Sequence, residues 1–209
     1  MRFIHSIAIL AIFAAPAAFA DSIDIQNTGA GGAAIGTADP NYILLNAPAG
    51  TSSPTATVST ANGAWVQNTT TTQWIDPSGS GNAGEPVGDF VYVTSFILAP
   101  GEDPATAVLN LNIAADNSFS VSLNGHSDFG PGGNFNVLTP VTISSGFMTG
   151  INILQFDVDN GGGPTGLFVE ASGTVSPSAS IVPEPGSIAL FGTGLLSVAG
   201  FARRRFLRS

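Results

Sequence analysis

The sequence predicts an all-β protein, an antiparallel β-sandwich of jelly-roll type, flanked by an N-terminal signal-peptide helix and a C-terminal transmembrane helix. Three observations predict it. Apolar and polar residues alternate with period two through DFVYVTSFIL, VLNLNIAAD and SFSVSLNG, as expected of strands with one buried face. No stretch of the body sustains a helical period. The long uncharged apolar runs lie at the two ends of the chain, each beside arginine.

At the N-terminus, Met1-Arg2 precedes the apolar stretch FIHSIAILAIFAA, and PAAFA follows before Asp21. Ala18-Phe19-Ala20 fits the small-x-small pattern of a signal peptidase site, so residues 1–20 are expected to be removed and the mature chain to begin at Asp21. The apolar run is short for a membrane span, and the cleavage pattern follows at once. Residues 21–38 read as a flexible segment leading into a sandwich domain over 39–175.

Residues 26 to 88 are rich in Gly, Ala, Ser and Thr, with strand candidates at NYILLN and TATVS and both tryptophans, Trp65 and Trp74. The three alternating stretches follow. Asp116-Asn117 is predicted to join the second and third as a hairpin turn, and Asn124-Gly125 to end the third. INILQFDVDN is apolar on both faces, which suits a central strand. GLFVEASGTV completes the set after Gly161, Gly162, Gly163 and Pro164. Residues 176–182 read as a linker.

Charge narrows the partners. The formal net charge is -9, and all five basic residues, Arg2, Arg203, Arg204, Arg205 and Arg208, lie at the ends. From Asp21 to Val182 there is no Lys or Arg, while thirteen of the fourteen acidic residues fall there. Such a surface repels phosphate backbones, which excludes nucleic acid as a partner. The chain has no cysteine, so neither disulfides, thiol catalysis nor Cys-based zinc sites are available to it.

Catalysis finds little support. His126 is the one histidine of the predicted mature body, and no GxSxG elbow is present. The chain is therefore expected to be no enzyme and to need no cofactor, with a structural Ca²⁺ as the one candidate. Asp157 and Asp159 place two carboxylates on one strand face before a glycine-rich loop, the hard oxygen donors that calcium takes. Position twelve counted from Asp157 is Phe168, so the pattern is not an EF-hand. Trp65 and Trp74 admit two readings: sugar-stacking platforms, or plugs of the core. Asn68-Thr69-Thr70 formally matches a glycosylation acceptor, though a polar loop is the simpler reading in such a chain.

The C-terminus carries the sharpest signal. Val182-Pro183-Glu184-Pro185 precedes an uncharged run from Gly186 to Ala202, after which Arg203, Arg204 and Arg205 cluster. Residues 186–202 are read as the transmembrane helix, with the arginines held inside by the positive-inside rule and the body outside. The order of tripeptide, apolar helix and basic tail closely resembles the PEP-CTERM sorting signal of Gram-negative, biofilm-forming bacteria. That resemblance covers 182 to 208. It implies an exosortase as processing partner, Pro183, Glu184 and Pro185 as its recognition element, and a membrane hold that ends when the signal is cut; a permanent single-span anchor is the alternative.

A second resemblance spans most of 39 to 175. Asp39-Pro40-Asn41-Tyr42, WVQN, QWIDP, AADNSFSVSLNG and GINILQFDVDN together look like the galactose-binding-like or carbohydrate-binding-module jelly roll. It implies a ligand-binding or adhesive module. The expectation is thus an exported cell-surface or extracellular-matrix protein with polysaccharide as candidate ligand; the alternatives are a purely structural or adhesive coat protein and an extracellular hydrolase.

Overall fold

The computed structural model describes residues 20–178 and 187–206. Alternating side chains do what their period demands: among the described residues eleven strands form two antiparallel sheets packed face to face. Strands β2 (Ile43–Asn46), β5 (Gly88–Leu98), β10 (Gly150–Asn160), β7 (Ser118–Leu123) and β8 (His126–Gly132) make a five-stranded sheet, neighbours in that order. The other is six-stranded. Its order is β3 (Thr57–Ser59), β4 (Trp74–Asp76), β11 (Gly166–Val175), β6 (Val108–Asp116) and β9 (Thr139–Ile143), with β1 (Asp21–Ser22) also paired to β11.

The inner face of the first sheet contributes Phe90, Tyr92, Phe96 and Leu98 from β5, Leu154, Phe156 and Val158 from β10, and Phe119, Val121 and Leu123 from β7. Against them pack Leu109, Leu111 and Ile113 of β6 and Leu167 and Val169 of β11. The strand read as apolar on both faces is central, between β5 and β7. Asn124 and Gly125 form the two-residue turn between β7 and β8, both with positive φ (53° and 78°), which matches the strand twist of a tight hairpin.

Three expectations change. Asp116-Asn117 does not close a hairpin: β6 and β7 lie in different sheets, so the turn carries the chain across the sandwich. The same turn chemistry serves either connection. Nor does the segment over 21–38 stand apart from the sandwich. Asp21 pairs with Val175, the Ile23 amide donates to the Gly173 carbonyl, and Ile23 and Ile25 join the core, because the edge of β11 would otherwise be left open. The linker begins later than expected, since the Ser176 carbonyl accepts from the Asp103 amide and the Ser178 amide donates to the Gly101 carbonyl. Residues 179–182 lie outside the described residues.

The C-terminal residues form a separate unit beyond Ser178. There α1 (Ser187–Phe206) is helical through Arg203, Arg204 and Arg205 rather than ending before them. Its charge-free part, Ser187 to Ala202, is about 24 Å long at ~1.5 Å per residue, against a hydrocarbon core of ~30 Å. Among the described residues no helix is long and apolar enough to cross a membrane.

Candidate functional site

The two tryptophans are core residues. Trp74 is fully buried and Trp65 only 4% exposed, so neither offers a face to a sugar. They stack on each other with ring centroids 4.2 Å apart, and Trp74 packs on Phe168 at 5.7 Å. This second apolar cluster, with Ala114, sits on the opposite side of the six-stranded sheet from the main core: Ile75, Ala115 and Leu167 point inward where their chain neighbours Trp74, Ala114 and Phe168 point out. Both indoles are satisfied. Trp74 Nε1 donates to the Val66 carbonyl at 2.7 Å and Trp65 Nε1 to Asp116 Oδ2 at 2.9 Å. Burial pushes the Asp116 carboxyl above its ordinary range, and the bond from Trp65 opposes that shift.

The carboxylates proposed for calcium lie on the outer face of the five-stranded sheet. The Gln155 amide donates to both oxygens of Asp157, at 3.0 and 3.2 Å, and Asp159 is exposed, in register with Asp89 of β5. Among the described residues no group of three or more His, Cys, Asp or Glu side chains comes close enough to hold a metal ion. His126 is exposed at the β7–β8 turn. The Asn68 amide is committed to structure: its Nδ2 donates to the Ser59 carbonyl and its Oδ1 accepts from the Trp74 amide.

What the structure does bring together is a groove of about 460 Å³ between the turn at Gly29–Ala33 and the tip of the Thr69–Thr72 turn, with Ile25, Gln26 and Asn27 along its floor. One wall is fixed by a buried carboxylate. Asp39 accepts from the amides of Gly29 (2.6 Å), Asn41 (2.7 Å) and Tyr42 (2.9 Å), so three backbone donors stand where a basic side chain is lacking. Gly29 has φ 63°, and a Cβ there would lie 2.5 Å from the Gln73 Cβ. Gln73 Nε2 then clamps the turn by donating to the carbonyls of Gly29 (3.1 Å) and Ala33 (2.9 Å).

The other wall is a threonine turn. Thr69 Oγ1 accepts from the amides of Thr71 and Thr72, which leaves Thr70 and Thr71 at an exposed tip. Asn27 ties the walls together: its Nδ2 donates to Thr72 Oγ1 at 2.9 Å and its Oδ1 accepts from the Ala171 amide at 2.8 Å. Behind the floor, Tyr42 donates its hydroxyl to the Gln26 carbonyl at 3.0 Å. Burial, and then the Asp39 charge, push that phenol well up, so it stays a donor. The lining combines amide, hydroxyl and glycine backbone with the apolar side chains of Ile25, Ala30 and Ala171, without a carboxylate, histidine or aromatic ring. It can exchange hydrogen bonds with a neutral ligand; no histidine, carboxylate or lysine lines it beside the Thr70 and Thr71 hydroxyls.

The remaining predicted positions are at the ends. Asp21 opens β1, beside exposed Ala20, while Ala18 lies outside the described residues. Arg203 and Arg204 are exposed on α1, and Arg205 follows in the same helix. Pro183, Glu184 and Pro185 lie outside the described residues. Comparison supplies what geometry does not: the segment from 182 to 205 matches a known family pattern. It is a PEP-CTERM protein-sorting motif.

That motif marks a protein for export, and it covers a small part of the chain. No curated protein matches the sequence. Among solved structures the body is similar to the apo Pleurotus ostreatus lectin, at 24% identity over 50% of this chain, with a TM-score of 0.37. The chain spans 33% of that lectin's length. It is also similar to the CBM35 of Cellvibrio japonicus Abf62, at 14% identity over 62% of this chain and 91% of that one, with a TM-score of 0.34.

Proposed function

We propose that the protein is a non-catalytic component of the cell surface or extracellular matrix, delivered through its PEP-CTERM motif and associating with neutral extracellular polysaccharide. The single observation that carries the delivery is the match over residues 182–205. An exosortase reads Pro183-Glu184-Pro185, and the short helix after it holds the chain at the membrane until that step. The association rests on the groove: amide and hydroxyl groups suit the hydroxyls of a sugar, while the absence of basic residues from 21 to 182 disfavours anionic polymers.

The core clusters lie wholly between Ile23 and Val175, so a 21–178 fragment carries its complete core. On an array of defined polysaccharides this fragment is expected to be retained by a neutral glycan. Ala30→Trp, which fills the groove, is expected to abolish retention while leaving the melting midpoint within a few degrees. No retention on any neutral glycan, or retention that survives Ala30→Trp, would reject the groove as the site. The second reading, a structural coat protein without a ligand, is favoured by the exposed Ile43, Ile97, Ile151 and Ile153 on the outer face of the five-stranded sheet.

A further inference from the structure

The backbone nitrogen of a glycine has no Cβ beside it to shield it, so an asparagine followed by glycine is open to attack by that nitrogen on its own side-chain carbonyl carbon. The chain holds three such pairs, Asn62-Gly63, Asn124-Gly125 and Asn160-Gly161. Their sequences are equivalent; their surroundings are not.

Two of the pairs are locked. Asn160 is fully buried, its Nδ2 donates to the carbonyls of Glu85 (3.2 Å) and Pro86 (2.9 Å), and the Gly161 amide that would attack is committed to Asn117 Oδ1 at 2.6 Å. Asn124 lies at the β7–β8 turn, but three bonds to distant residues hold its side chain. Its Nδ2 donates to the Gly146 carbonyl (2.8 Å) and Asn152 Oδ1 (2.9 Å), and its Oδ1 accepts from the Ile153 amide (2.9 Å).

Asn62-Gly63 differs in each respect. It sits in the loop that leads to Trp65, outside both sheets, with Asn62 half-buried and Gly63 exposed. The Gly63 amide has no hydrogen-bond partner among the described residues. Asn62 Oδ1 accepts from the Ala64 amide at 3.1 Å, a turn that folds the side chain back along the following peptide. The same N–H stands where negative charge develops when the nitrogen attacks. Asn160 makes the equivalent turn with the Gly162 amide at 3.0 Å, so what separates the two is the free nitrogen and the access of water.

We infer that Asn62 is a site of spontaneous deamidation, with water as the co-reactant. Base takes the Gly63 amide proton, the nitrogen bonds to Asn62 Cγ, and the Cγ–Nδ2 bond breaks as Nδ2 takes up a proton and leaves as ammonia. Water then opens the cyclic imide at either carbonyl, giving aspartate or isoaspartate.

The product alters the loop. Asn62 Nδ2 donates to Asn82 Oδ1 at 3.0 Å; a carboxylate there has only acceptors to offer, and it adds charge to a body without Lys or Arg. In the isoaspartyl form an extra main-chain carbon enters the turn that the Trp65 amide closes on the Asn62 carbonyl at 2.9 Å. That turn sets the entry of Trp65 into its stack with Trp74. Age therefore accumulates as charge and slack beside the second apolar cluster.

Ageing the 21–178 fragment in mildly alkaline buffer, followed by chymotryptic mapping with mass detection, tests this. The peptide carrying Asn62 is expected to gain the mass difference between amide and acid, at a rate that rises with pH. Those carrying Asn124 and Asn160 should change more slowly by roughly tenfold or more, the factor that breaking a hydrogen bond of this kind imposes. In urea the locks are gone and the three should react alike. Gly63→Ala is the discriminating variant: a Cβ there meets nothing within 4 Å and the position is not left-handed. It should keep the parent's melting midpoint and slow the Asn62 reaction by roughly tenfold or more, because the methyl shields the nitrogen. If Gly63→Ala fails to fold, Asn62→Gln serves in its place and should remove the mass gain from that peptide, since the longer side chain must close a larger ring. Equal rates at the three pairs in the folded protein, a preference for Asn62 that persists in urea, or a gain undiminished in the folded variant overturns the proposal.

Discussion

Trp65 donates its indole N–H to Asp116 Oδ2 at 2.9 Å across 51 residues of sequence. The bond joins the loop that covers the six-stranded sheet to the last residue of β6, and Asp116 is 6% exposed there. The Asp116 backbone carbonyl also accepts from Thr165 Oγ1 at 2.8 Å, so one residue anchors the chain at both its side chain and its backbone.

Trp65→Phe keeps most of the ring packing and removes the donor. It leaves a buried carboxylate oxygen short of a partner, which costs about 1–3 kcal/mol. Urea unfolding of the 21–178 fragment should show that loss as a lower midpoint with an unchanged slope; a midpoint equal to the parent would show that the bond contributes nothing net.

Asp116 also gives stability a pH dependence of defined sign. Its folded pKa is raised, first by burial, so the native state keeps the proton to higher pH than the unfolded chain. Unfolding then releases a proton between the unfolded value, ~3.9, and the folded one, and stability falls as pH rises through that window. Asp116→Asn removes the effect. The variant's melting midpoint relative to the parent should therefore be more favourable at pH 7 than at pH 3. An equal or opposite difference at the two pH values would contradict this account.

Gly29→Ala should be damaging for two reasons at once. The position is left-handed, and the new Cβ would lie 2.5 Å from that of Gln73. The left-handed conformation alone costs about 1–2 kcal/mol, and the displaced Gln73 clamp adds to it. Unfolding midpoints measure the sum, and loss of glycan retention before loss of fold would place the damage in the groove wall.

Tyr92 presents the reverse case. Its hydroxyl is buried with no hydrogen-bond partner among the described residues, and burial raises its pKa well up, with Asp76 and Glu85 adding to the shift. Removing an unsatisfied polar group from a core is neutral or stabilising, by up to ~1–3 kcal/mol. Tyr92→Phe is expected to melt at or above the parent temperature. A clear drop would mean that the hydroxyl is engaged.

The sorting reading predicts a mass. Protein recovered from its native host should begin at Asp21 and lack Arg203 to Arg205, and replacing Glu184 with Ala should leave those arginines in place. A native mass that still includes them would restore a permanent anchor.

The strands whose sequences alternate, β5, β6 and β7, were legible in the sequence, because one buried face imposes period two on side chains regardless of partner. The partner itself was not legible. Asp116-Asn117 shows a turn but not whether it returns within a sheet or crosses between sheets, since both place Ala115 and Phe119 inward. Ile23 and Ile25 are too few to display a period, and their pairing with β11 spans some 150 residues. The tryptophans were open between two readings until burial decided for the core. The groove left almost no trace, because glycine, threonine and amide residues that build a rigid wall have the same composition as those of a loose loop. Ile151 and Ile153 announced a strand apolar on both faces, but no pattern within one chain tells whether the second face is covered by that chain.

The lack of Lys and Arg between residues 21 and 182 also reaches the fate of the mature protein. Trypsin-like proteases cut after these two residues, so the whole body offers them no site, folded or unfolded. Proteases of other specificity must supply its turnover. Amine-reactive reagents would meet the same restriction: in a chain processed at Asp21 and before the arginines, the single primary amine would be the N-terminus, at the start of β1.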